Sequence, residues 1–179
     1  MKRLITGFAI GALAVALFAP QVSFNYALAA TGASVVVIDG KVNGKPVDQY
    51  ILDEVANGRE LSDVVAEMVQ GGKDIPNAEI TNVYISDLVV LLIDAGISPT
   101  TVSTMVTKAA PEYAESIVIA AISKASGIED IVNITQAVMN EAPAKEKSIK
   151  DSAIMVISRF GWNLNQNIFD DMKPASPAS

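Results

Sequence analysis

Neither cysteine nor histidine occurs among the 179 residues of this chain. The missing cysteine excludes disulfides, iron–sulfur clusters, thiol nucleophiles and thiolate zinc sites. The missing histidine excludes the Ser-His-Asp arrangement and every histidine-dependent metal site. No serine has a lysine three residues later, and Gly40-Lys41 runs into Val42, so a Ser–Lys nucleophile pair and a Walker loop are missing as well. Positive charge is scarce: 13 Lys and Arg stand against 20 Asp and Glu, a formal charge of −7. Such a chain is repelled by phosphate backbones and anionic lipid, so no nucleic-acid partner is expected. No cofactor and no metal are expected either.

What is present begins with a leader. Lys2 and Arg3 precede an uncharged apolar run from Leu4 to Ala19, Pro20 breaks it, and Ala27-Leu28-Ala29 supplies small residues in an A-x-A pattern. The run is shorter than the roughly 20 residues needed to cross a bilayer. These features predict a signal peptide over residues 1–29, cleaved after Ala29, and a product in the periplasm or outside the cell with no stable membrane insertion.

The remainder, about 150 residues, suits one self-sufficient domain. Ser34 to Ile38 is short and β-branched, and Asn43-Gly44 is the pair best suited to a type I′ turn. Residues 30–58 are therefore read as a small hairpin-like element and a first helix. From Asp48 onward the periodicity is helical. Leu61, Val64, Val65, Met68 and Val69 fall at i, i+3, i+4, i+7 and i+8; Ile85 to Ile93 and Val102 to Ala110 repeat the spacing. Ile128, Ile131, Val132, Val138 and Met139 continue it, as do Ile149, Ala153, Val156, Ile157 and Phe160. Ser116 to Ala125 is apolar nearly all round and reads as the most buried helix.

Gly58, Gly71-Gly72, Gly96, Gly127 and Gly161 follow these stripes, where C-terminal caps belong. Ser98-Pro99 and Pro111 read as helix starts. The fold expected is all-α: a helical bundle or short α-solenoid of helix hairpins, six or seven helices in all, with a small β-like N-terminal element. Residues 59–161 form its helical-hairpin core, 162–172 an aromatic C-terminal segment, and 173–179 a disordered tail. Internal echoes suggest a repeat. Leu61-Ser62-Asp63-Val64-Val65 corresponds to Ile85-Ser86-Asp87-Leu88-Val89, and Ala110-Pro111 recurs 32 residues later as Ala142-Pro143.

Candidate chemistry is thin. Asp39 to Tyr50 superficially follows a calcium loop, but Lys41 and Tyr50 stand where oxygen ligands are required. Glu60, Asp63 and Glu67 share one helical face and could supply a carboxylate-dependent hydrolase, although that chemistry needs two acids in unlike surroundings across a cleft. A sugar site would add aromatic platforms, and aromatics are only 6% of the chain. The commoner use of such acids is a solvated helix face.

Val42-Asn43-Gly44-Lys45-Pro46-Val47 followed by Tyr50-Ile51-Leu52-Asp53 resembles the opening of the mature region in exported parvulin-type chaperones. The resemblance implies a strand, an Asn-Gly turn and a first helix, and a chaperone-like binding role. It does not extend to prolyl isomerisation, because the parvulin active site is characterised by histidines and this chain has none.

The segment Phe160 to Phe169 gathers half of the mature aromatics among uncharged amides. Its expected role is to fold back and close the bundle. Its alternative role is a contact for a protein partner or for self-association, through Trp162, Leu164, Ile168 and Phe169. The functional expectation is an exported, non-enzymatic protein acting in protein–protein interaction or as a structural subunit. A periplasmic chaperone-like holdase is the alternative, and the carboxylate hydrolase a more remote one.

Overall fold

The computed structural model describes residues 35–161, 166–169 and 172–174. Residues 1–34, which include the segment read as a signal peptide, Trp162, Leu164 and the last five residues lie outside them. Among the described residues the expected all-α architecture is present, with seven helices packed together and a small three-stranded antiparallel sheet at the N-terminal end.

The sheet consists of β1 (Val37–Ile38), β2 (Lys41–Val42) and β3 (Lys45–Pro46) in sequential order. Val37 pairs with Val42, and Lys41 with Pro46. Two successive two-residue turns set this register. Asn43 and Gly44 have φ of 52° and 81°, and Asp39 and Gly40 have 49° and 70°. Left-handed conformations at both central residues twist the strands as a tight hairpin requires. The Asn-Gly turn is the one read from the sequence, and the Asp-Gly turn is a second. Pro46 stands on the edge strand, where a missing N–H is harmless. Val37, Val42 and Val47 point inward.

The helices are α1 (Val47–Ala56), α2 (Leu61–Lys73), α3 (Ala78–Asp94), α4 (Pro99–Ala109), α5 (Ala114–Ile122), α6 (Ile128–Glu141) and α7 (Glu146–Arg159). Short connections fold each helix back on its predecessor. In addition α2 packs on α4 and α4 on α6, while α3 packs on α5 and α5 on α7. Two rows result, α2-α4-α6 and α3-α5-α7, and the hairpins α2/α3, α4/α5 and α6/α7 stack side by side. The central helix α5 touches α3, α4, α6 and α7, as its all-round apolar sequence leads one to expect.

Burial follows the stacking register. Val64, Val65, Met68, Val69 and Gly72 are buried on α2; Val102, Ser103, Val106, Thr107 and Ala110 occupy the same pattern on α4, and Ile134, Thr135, Val138, Met139 and Ala142 on α6. The match extends to chemistry. Ser103 donates to the Pro99 carbonyl at 2.8 Å and Thr135 to the Ile131 carbonyl at 2.7 Å, so each buried hydroxyl is satisfied four residues back. Thr107 is the exception, with no partner for its buried hydroxyl.

The recurring turn has a local cause. A residue before proline is driven out of the helical region, and Ala110 (φ −145°, ψ 66°) and Ala142 (φ −132°, ψ 60°) end α4 and α6 that way. Pro111 and Pro143 then each open one 3₁₀ turn leading into the next helix. The 32-residue echo is therefore a structural repeat. The resemblance of Leu61–Val65 to Ile85–Val89 is not, because it relates α2 to α3, helices in opposite rows.

Three expectations need correction. Gly71 and Gly72 do not cap α2 but lie inside it. A Cβ on Gly71 would come within 2.1 Å of the Val35 carbonyl oxygen, and one on Gly72 within 2.2 Å of the Tyr84 ring, so both glycines allow close approach. Gly127 is extended and precedes α6 rather than ending α5. There Asp130 accepts from the Ser126 hydroxyl and backbone N–H at 2.6 and 2.8 Å, which holds its carboxyl below the usual range and closes the helix start. Phe160, placed on the α7 stripe by its spacing, is 53% exposed just beyond the helix end.

Candidate functional site

The C-terminal segment is where the sequence places a contact. Trp162 and Leu164 fall outside the described residues. Ile168 is half-buried, while Phe169 at 1% and Met172 at 9% exposure belong to the core. Two long side chains fasten the segment by its backbone. Gln136 on α6 donates to the Lys173 carbonyl at 2.7 Å, and Lys150 on α7 to the Met172 carbonyl at 2.5 Å. The Lys150 side chain is only 16% exposed and also pairs with Glu146 at 2.7 Å. The segment thus lies against the last helix pair. Gly161, with φ of 67°, provides the left-handed residue with which the chain leaves α7. Gln136 and Lys150 are absent from the sequence-derived site; they lie 37 and 22 residues from their partners, and no local spacing signals such a pairing.

Glu60, which precedes α2, and Asp63 and Glu67 on it do not converge on one another. Glu67 accepts from Arg59 at 2.6 Å, and the same guanidinium reaches Glu54 on α1 at 2.7 Å. Arg59 is thereby raised above its ordinary range by the two carboxylates. Glu60 and Asp63 are exposed. This arrangement ties α1 to α2 and commits Glu67 to an ion pair. Opposed acids in unlike environments, the requirement for glycoside chemistry, are not formed by these residues.

The turns along one edge of the stack are cross-linked. Lys73 pairs with Glu112 at 3.0 Å, and Lys145 donates to the Glu112 carbonyl at 2.6 Å. Burial works against the Glu112 carboxylate, but its own backbone N–H and the two lysines outweigh it and hold the group below the usual range. On the opposite edge Lys124 grips Asp94 through both oxygens, at 2.7 and 2.9 Å. Each contact joins neighbouring hairpins.

Beyond these bonds the surface offers apolar contacts. Leu52 and Val55 lie on α1 at 63% and 44% exposure, and Val83 on α3 at 42%. The helix after Asp48 is legible in the sequence, and the i, i+3 spacing of Leu52 and Val55, off the line of buried Val47 and Ile51, is the signal that marks its outward stripe. Of the methionines, Met68 and Met139 are fully buried and Met155 is exposed.

Among the described residues no group of three or more acids could hold a metal ion, and no helix is long and apolar enough to cross a membrane. Compared with protein-family models, curated proteins and solved structures, the chain matches none of them.

Proposed function

We propose that the chain is an exported, non-enzymatic helical-repeat protein that works by contact with other proteins, as an interaction or structural subunit. The observation that carries this reading is the reuse of one buried pattern by three stacked hairpins. Such stacks close a continuous core and leave outward faces as extended contact surface. Leu52, Val55 and Val83 supply exposed apolar side chains on it. Export is supported by Lys2 and Arg3, the apolar run to Ala19 and the Ala27-Leu28-Ala29 pattern.

The test is made on the full chain in an exporting bacterium. A photo-activated cross-linking residue at Leu52 or Val83 is expected to give a discrete protein adduct, and the mature N-terminus is expected at Ala30. The triple substitution Glu60→Ala, Asp63→Ala, Glu67→Ala should leave the adduct intact. No adduct at either position would defeat the reading, and a smear of adducts with suppressed aggregation of unfolded clients would replace it with a holdase.

A further inference from the structure

We propose that the surface formed by α6 and α7 is a peptide-binding site, that the chain's own C-terminal segment is its resident ligand, and that residues 166–174 of a second copy can take that ligand's place. The inference rests on the interaction reading above and names the partner for one surface.

The contacts are those of peptide recognition. Lys150 and Gln136 hold backbone carbonyls, which a second copy presents equally well. Phe169 and Met172 provide two apolar anchors three residues apart. Recognition by main-chain hydrogen bonds with pockets for spaced side chains is a recurring way of binding segments. Charge favours this place. The chain is acidic overall, yet α7 carries Lys147, Lys150 and Arg159 against Glu146 and Asp151, while the segment reads Phe169-Asp170-Asp171-Met172. An acidic segment carrying apolar anchors is therefore drawn to α7, the most cation-rich of the described helices.

The resident ligand is tethered, so it competes at an effective concentration of about millimolar. Exchange between copies is then weak in the intact chain and strong when the resident anchors are removed. Swapping an identical segment needs no surface that one copy lacks.

A fluorescein-labelled peptide of residues 166–174 is titrated against the full chain carrying Phe169→Ala and Met172→Ala, with anisotropy as the readout. Saturable binding at least tenfold tighter than to the unaltered chain is expected. It should be abolished when the peptide carries the same two alanines, and weakened when Lys150→Met is added to the chain. No saturable binding to a variant that still melts cooperatively overturns the proposal. If the double variant does not fold, the unaltered chain is mixed with excess peptide and followed by amide chemical shifts: changes confined to α6 and α7 support the site, and their absence overturns it. Failure here with cross-links retained at Leu52 or Val83 removes this site and leaves the interaction reading standing.

Discussion

Tyr84 is the side chain on which the sheet depends. Its hydroxyl donates to the Met68 carbonyl at 2.9 Å and accepts from the Val37 N–H at 3.1 Å, joining β1 to α2 inside the core. Burial pushes its pKa up to about 12, against a smaller opposing effect of the Val37 hydrogen bond. The folded state therefore binds the phenolic proton more tightly than the unfolded chain, whose tyrosines titrate near 10. Its contribution is complete below pH 10 and disappears as pH rises through about 12. Tyr84→Phe should cost about 1–3 kcal/mol at neutral pH, because Val37 and Met68 lose a buried partner. The variant should also show a flatter fall in melting temperature from pH 10 upward, and identical alkaline profiles for the two proteins would refute the assignment. Sequence legibility at this scale was uneven. Asn43-Gly44 declares its turn by residue type alone, whereas the bridging role of Tyr84 depends on strands and helices 47 and 16 residues away.

Helix ends were legible wherever the backbone alone decides them. Gly58, Gly96 and Gly161 take φ of 87°, 94° and 67° just past α1, α3 and α7, as the sequence reading has it. Gly71 and Gly72 are not legible this way, because their need is for space, which depends on tertiary neighbours. This gives an opposed pair of effects in α2. Alanine at position 72 gains about 1 kcal/mol of helix propensity, but its Cβ would sit 2.2 Å from the Tyr84 ring, an overpacking worth about 1–3 kcal/mol. Gly72→Ala should therefore lower stability in the native background. With Tyr84→Ala already present it should become neutral or stabilising. Denaturant melts of the four proteins decide this, and equal effects in both backgrounds would show that the ring is not the obstacle. The C-terminal site divides along the same line. In the proposed site, Ile168 and Phe169 stand out in the sequence by composition, whereas Gln136 and Lys150 do not, since their partners are carbonyl groups that carry no sequence signature.

At the scale of the molecule, the helical stripes specified the fold class, and the Ala-Pro echo specified two of the three hairpins. The first hairpin was not legible as a repeat: its turn is Ile75-Pro76-Asn77, with Asn77 capping α3 through the Glu79 and Ile80 N–H groups. In a stack whose units touch only neighbours, opening begins at the ends. Amide exchange should be slowest in α5, which packs against α3, α4, α6 and α7, and fastest in β1–β3, α1 and residues 166–169. Uniform protection along the chain would contradict this ordering.

The shared register of α4 and α6 also bears on how such a chain can change in length. The buried positions of α4 recur on α6 32 residues later, and the Ala-Pro turn recurs with them. A tandem copy of residues 96–127 would enter between Gly127 and Ile128 with a mate already waiting on each side. Growth by duplication is thus open to this protein at its middle and closed at its ends, where the sheet with α1 and the Phe169 segment each fit a single unit.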